Sequence, residues 1–160
     1  MRKAALHTFA LTLVTGLALT TPAPAMDHMK GTKIIPVQEI KWGAGPASLP
    51  PGAQVTVLYG DPSKEGLFAL RLKFPKGFHV PPHLHPKPEV VTVLSGTIRF
   101  GMGEAADRDK AQVLTAGSLF ACSPEMAHFI YADEEAVIQL NSVGPFTIAY
   151  VNPADDPRKK

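Results

Sequence analysis

Short apolar runs separated by turn residues occupy most of the chain. In residues 67–74 every second side chain is apolar: Phe68, Leu70, Leu72, Phe74. A period of two is typical of a strand with one buried face. Turn sequences such as Ser95-Gly96 and Ala116-Gly117 separate further short runs, and after residue 26 no segment shows a convincing helical period. The pattern predicts an all-β sandwich or barrel.

The predicted strands follow one another closely. They cover residues 34–42, 54–59, 67–74, 90–94, 97–100, 111–114, 118–122, 128–131, 136–141 and 146–151. We assign residues 26–52 to an N-terminal arm and a Gly/Pro-rich loop, residues 53–152 to one barrel, and residues 153–160 to a flexible polar tail. An exposed edge strand at 34–42 would allow the chain to pair with a second copy as a homodimer.

Residues 1–25 have the features of an export signal. Arg2 and Lys3 give a basic start, residues 6–19 are mostly apolar, and Ala23-Pro24-Ala25 supplies a small-x-small cleavage pattern. The apolar run, about 14 residues, is too short for a helix to span a bilayer about 30 Å thick. We predict cleavage after Ala25, export to the periplasm or the medium, and no membrane association afterwards. An uncleaved anchor or a buried helix is the alternative.

The net positive charge of the chain comes from this predicted signal. The formal net charge is +2, and removing residues 1–25 removes Arg2 and Lys3 but no acid, which leaves a net charge of zero. Clusters of Lys and Arg with interleaved aromatic residues, the usual track for phosphates, do not stand out in the sequence. We therefore expect no nucleic acid partner. A length of 160 residues suits one domain.

Histidine and carboxylate side chains cluster in the middle of the chain. His83 and His85 would share one face of a strand about 7 Å apart, and Glu89 has the same parity. His128 lies on a later strand, beyond a turn, and can supply a fourth ligand. Imidazoles with one carboxylate suit iron, manganese, cobalt, nickel, copper or zinc. Prolines restrict the backbone around the first two histidines: Pro81, Pro82, Pro86, Pro88.

The spacing of these residues resembles the first motif of the cupin superfamily. Gly77, His83, His85, Glu89 and Gly96 match it at every fixed position, with five residues between the first glycine and His83 and six between Glu89 and Gly96. The motif is specific, and the resemblance covers roughly residues 53–152.

The second cupin motif is matched only in part. Gly117, Pro124 and His128 are present, but the glycine that follows the proline in the family is missing. The interval from Pro124 to His128 is one residue shorter than in the family, and Ala132 stands where the family has asparagine. The departure concerns the turn before His128 more than His128 itself.

The resemblance implies a single-domain antiparallel cupin β-barrel of the jelly-roll type. It implies that His83, His85, Glu89 and His128 hold one divalent metal ion (Fe, Mn, Cu, Ni or Zn) beside an apolar lumen that takes a small molecule. Similar proteins include dioxygenases, isomerases, decarboxylases, cyclases and lyases. We expect an enzyme acting on a small oxygenated substrate, with dioxygenase-type chemistry ahead of isomerase or lyase chemistry. A non-catalytic module that binds metal or a small ligand is the alternative.

Several further residues are candidates for lesser roles. Glu89 is also a candidate proton acceptor, and His79 is a second base or alternatively a solvated loop residue. Tyr59, Arg71 and Gln139 are candidate substrate contacts, although the alternation around Arg71 favours the solvent face. The single cysteine, Cys122, is interpreted as an inert buried thiol, and a place near the metal cavity is the alternative.

Overall fold

The structure is a computed structural model that describes residues 32–160. The predicted signal at residues 1–25 lies outside the described residues. Residues 35–160 form one compact unit. No helix in the described part of the chain is long and apolar enough to cross a membrane.

The described residues contain eleven strands in two antiparallel sheets. The strands are β1 (Gly43–Ala44), β2 (Gln54–Tyr59), β3 (Gly66–Phe74), β4 (His79–Leu84), β5 (Glu89–Ser95), β6 (Thr97–Met102), β7 (Gln112–Thr115), β8 (Leu119–Cys122), β9 (His128–Ala132), β10 (Ala136–Gly144) and β11 (Ala149–Tyr150). One sheet has the order β1-β2-β3-β10-β5-β8, and the other has the order β11-β4-β9-β6-β7. This arrangement confirms the predicted all-β, jelly-roll fold class.

The alternate apolar residues of β3 form part of the inner face of the first sheet. Strand β3 pairs with β10 along its whole length, with Leu70 opposite Leu140 and Leu72 opposite Ile138. All four side chains are buried. Burial of a Leu or Ile side chain contributes about 1.5–3 kcal/mol, so this ladder is a large part of the core.

Two predictions near the start of the described chain are wrong. Residues 34–42 contain a short 3-10 helix, Val37–Glu39, in place of the predicted strand. Pro36 precedes this helix with φ fixed near −58°, and its carbonyl accepts a hydrogen bond from the Glu39 amide, so the chain turns there. Gly43–Ala44, predicted as loop, pairs with β2 instead. Residues 34–42 therefore do not form the edge strand through which two copies were expected to pair as a homodimer.

The C-terminal residues turn back against the barrel. Asn152 and Asp156 cap two 3-10 helices, Pro153–Asp155 and Pro157–Lys159. The Arg158 guanidinium donates to both carboxylate oxygens of Asp156 and to a main-chain carbonyl that precedes β11. These bonds give residues 153–160 local structure, and their flexibility stays a prediction.

The two glycines that bound the first motif adopt left-handed backbone conformations in different surroundings. Gly77 has φ +81° and an added Cβ would have open space, whereas Gly96 has φ +73° and an added Cβ would overlap the carbonyl oxygen of Glu135. The β5–β6 turn at Gly96 thus requires glycine for two reasons, and the turn at Gly77 for one.

We expect Gly96→Ala to destabilise the protein more than Gly77→Ala. Both variants force a non-glycine residue into a left-handed conformation, which costs about 1–2 kcal/mol. Only Gly96→Ala adds a steric overlap, worth about 1–3 kcal/mol more. Urea unfolding of the two variants and the wild type measures the difference. Equal losses would show that the approach to Glu135 is unimportant.

Candidate metal centre

A β-bulge in β4 sets the direction of the first histidine. Val80 pairs with Ile130 and His83 pairs with His128, so three steps along β4 match two steps along β9. The extra residue reverses which side chains face inward beyond it. Pro81 and Pro82 occupy the bulge. Proline has no N–H to donate, and at a bulge this does not cost the sheet a hydrogen bond. His83 consequently faces the barrel interior, directly across from His128.

Main-chain carbonyl groups orient all three imidazoles. Each Nδ1 lies 2.7–2.9 Å from a carbonyl oxygen, in the pairs His83–Pro81, His85–Thr147 and His128–Met126. An Nδ1–H that donates to a carbonyl leaves the Nε2 lone pair free to bind a cation. The three rings are also packed together, with centroids 4.2–5.4 Å apart.

Glu89 brings a carboxylate from the opposite sheet into this cluster. It begins β5 and is only 3% exposed. Its Oε1 lies 2.9 Å from Nε2 of His128, and its Oε2 lies 3.8 Å from Nε2 of His85. Despite that approach, Oε1 is buried without a properly aligned hydrogen-bond donor among the described residues. The carboxylate and the imidazoles therefore converge on a common point.

Burial and mutual proximity control protonation in the cluster. Burial lowers the pKa of His83 well below its usual value, and the neighbouring His128 and His85 lower it further. Burial also lowers the pKa of His85, although Glu89 opposes this. At His128 burial again acts to lower the pKa, but interactions with Cys122 and Glu89 outweigh it and raise the pKa to about 10. A bound divalent cation would take the place of that proton.

The donor set fits a divalent transition metal. One ring nitrogen from each of His83, His85 and His128 lies within 4.8 Å of the others. Donors on opposite sides of an ion, each about 2.0–2.1 Å from it, are about 4 Å apart, so small side-chain adjustments suffice. A buried carboxylate oxygen without a partner costs several kcal/mol, and a cation beside Glu89 would offset that cost.

A cavity of about 410 Å³ adjoins the cluster. Its walls are apolar side chains from both sheets, including Leu70, Leu72, Val91, Ile130, Ile138 and Leu140. His83, His85, Glu89 and His128 form its polar wall, and Arg158 from the C-terminal turn also lines it. The cavity suits a small molecule with an apolar body and an oxygen-bearing end.

The other predicted site residues lie elsewhere. The bulge in β4 turns His79 away from His83, and its ring stacks on Tyr131 with centroids 4.0 Å apart. Burial lowers the pKa of His79, with Asp155 opposing. On the outer face of the first sheet, the Arg71 Nε donates to Oε1 of Gln139 at 3.0 Å.

Tyr59 pairs with Ala69 and, like the Arg71–Gln139 pair, is absent from the residues that line the cavity. The structure thus brings together the four predicted ligands but not the predicted substrate contacts.

Sequence reasoning missed several residues that shape the centre. Phe146 stacks on His85, with centroids 4.3 Å apart, and shields it within the cavity. The Glu125 amide donates to the His85 carbonyl, and Glu125 adopts the left-handed φ of +62°. The absence of glycine beside Pro124 could have signalled this strained turn. Cys122, by contrast, lies beside the ligands, in agreement with the alternative that the sequence left open for it.

Comparison with known proteins matches this arrangement to one family. The family model described as Cupin matches residues 46–148. Germin-like protein 3-1 of Oryza sativa subsp. japonica is 34% identical over 87 residues, which cover 54% of this chain. The match spans only 35% of that relative's length.

Solved structures share the same fold. The polyketide cyclase RemF from Streptomyces resistomycificus has a TM-score of 0.67 at 13% identity, over 81% of this chain and 92% of that one. An oxalate oxidase has a TM-score of 0.50 at 25% identity, over 68% of this chain and 60% of that one. Together with the family match, these structures confirm the predicted cupin fold.

We expect a divalent transition metal to stabilise the native protein. At a free ion concentration 100 times the dissociation constant, the free energy of unfolding should rise by about 2.7 kcal/mol. Thermal unfolding of metal-stripped protein with and without added ion measures this.

His83→Ala should abolish the rise in unfolding temperature, because it removes a ligand. His79→Ala removes a histidine from the same strand but from its other face, and it should retain the rise. Equal responses of the two variants would contradict the assigned ligand set.

Proposed function

The chain belongs to the cupin family, and we propose that it is a metal-dependent enzyme acting on a small oxygenated substrate. One observation carries the proposal. Three oriented imidazoles and a buried carboxylate meet at the wall of an apolar cavity. A site built only for structural stability has no need of an adjoining cavity of about 410 Å³.

The proposed ligands of the ion are His83, His85, Glu89 and His128. A divalent ion of Fe, Mn, Cu, Ni or Zn, when bound, supplies Lewis acidity and, for the redox-active metals, electron transfer. The hydrogen bonds from the imidazoles to main-chain carbonyls hold the rings in place before binding, so little ordering entropy is lost.

The remaining cavity residues would bind and orient the substrate. Apolar walls from both sheets exclude water and accept its hydrocarbon part, which strengthens electrostatic interactions at the polar end. We propose Glu89 as a proton acceptor as well as a ligand, since its carboxylate lines the cavity that would hold the substrate.

We place oxygen-dependent oxidation first among the reaction classes, ahead of isomerase and lyase chemistry. The oxalate oxidase that shares 25% identity with this chain has been solved with the substrate analogue glycolate, a small oxygenated acid. That relative supports adding small hydroxy acids to the enols and phenols as the first substrates to test. The substrate of that oxidase is not thereby assigned to this chain.

The test is oxygen uptake by metal-stripped protein reconstituted separately with iron, manganese, copper and zinc. A panel of small enols, phenols and hydroxy acids is offered, and products are identified by mass. We expect turnover with a redox-active metal and a loss of at least about 100-fold in kcat/KM for His83→Ala.

Val57→Trp serves as the companion variant because Val57 lines the cavity and is 45% exposed, so it lies at the opening. It should retain the metal and raise KM by narrowing the entrance. Stoichiometric metal without turnover on any substrate class would instead identify a binding module. Turnover with zinc alone would exclude the oxidative class.

We also propose that the chain is exported with cleavage after Ala25. The basic start, the short apolar run and the small-x-small sequence support this. Expression of the full chain in a bacterial host should yield a periplasmic or secreted protein beginning at Met26, as measured by intact mass. A cytoplasmic product that retains residues 1–25 would refute it. Homodimer formation likewise stays a prediction.

A further inference from the structure

Strand register places the single cysteine directly beside the candidate centre. In the β5–β8 pair, Cys122 is the partner of Glu89, and Phe120 is the partner of Val91. Directly opposed residues in an antiparallel pair project to the same face with Cβ atoms about 4.5–5.5 Å apart. Because Glu89 faces the cluster, Cys122 faces it too.

The thiol and two of the proposed ligands form a compact donor group. The Cys122 sulfur, a carboxylate oxygen of Glu89 and a ring nitrogen of His128 lie within 4.8 Å of one another, and all three residues are buried. Glu89 is 97% buried, and its Oε1 has no aligned hydrogen-bond donor among the described residues. That oxygen, which lies 2.9 Å from Nε2 of His128 without an aligned hydrogen bond, is an observation independent of the cysteine, and a cation held between these groups would satisfy it.

We propose that Cys122 is a sulfur ligand of the bound ion, completing a Glu89–Cys122–His128 group that shares His128 with the histidine triad. The inference rests on the metal site proposed above and adds a donor to it. On binding, the S–H bond breaks, a sulfur–metal bond forms, and the proton passes to solvent.

A sulfur donor changes which ions the site prefers. Thiolate ligands favour zinc and copper, whereas carboxylate and water suit manganese. Cys122 is not among the residues lining the cavity, while Glu89 and His128 are. The sulfur would therefore bind from the side away from the cavity, leaving the cavity side of the ion for a substrate.

X-ray absorption at the zinc edge of zinc-loaded full-length wild-type protein tests the ligand directly. We expect a sulfur shell at about 2.3 Å in addition to nitrogen and oxygen at about 2.0–2.2 Å. In Cys122→Ser the sulfur shell should vanish. Its zinc affinity should fall at least about tenfold, with a smaller change for manganese.

Ala121→Ser is the matched control, because it makes a serine on the same strand but on the exposed face, and it should leave the spectrum and both affinities unchanged. A wild-type spectrum with one zinc and no sulfur shell would overturn the Cys122 inference and leave the histidine–carboxylate site standing. Failure of the wild type to bind zinc or any other divalent ion would overturn the metal site and the inference with it. The wild-type spectrum decides even if Cys122→Ser does not fold.

Discussion

The buried carboxylate of Glu89, facing three imidazoles, is the constraint to which the rest of the barrel responds. Removing a charged carboxylate from water costs several kcal/mol, and the contact with His128 at 2.9 Å recovers part of it. Two sheets packed over an apolar interior supply the stability that permits such a site. A cation bound between Glu89 and the imidazoles would offset this desolvation cost. Metal binding would therefore raise the free energy of unfolding through the Glu89 side chain.

Main-chain geometry, more than side-chain packing, fixes where the ligands point. The bulge in β4 turns His83 inward, carbonyl groups hold each Nδ1, and the Glu125 amide ties the turn before His128 to the His85 carbonyl. Glu125 retains a left-handed conformation that glycine would adopt without strain. The altered second motif therefore still delivers His128 to the site, because the hydrogen bond to His85 holds the strained turn.

Short-range alternation along the chain predicted the all-β fold class, whereas the full ligand set was implied by the resemblance to the cupin motifs. Strand β2 begins and ends where it was predicted, whereas His85, expected on the same strand as His83, lies just beyond the end of β4, and Glu89 begins β5 in the other sheet. Register and bulges depend on distant partners and were not predictable. A single extra residue in β4 reversed the face of His79, and pairing with β5 brought Cys122 to Glu89. Residues 34–42 have only a weak strand preference, and Pro36 favours the 3-10 helix Val37–Glu39 there instead.

In the enzyme that we propose, this arrangement would separate the choice of metal from the choice of substrate. The ligands and Cys122 lie at the ends of strands held by backbone hydrogen bonds, while the cavity is shaped by apolar side chains such as Leu140 and Ile138. Volume-conserving changes in those walls cost little stability. Substrate shape can therefore vary without moving a ligand, whereas a change at Glu89 or His128 would disturb every donor at once.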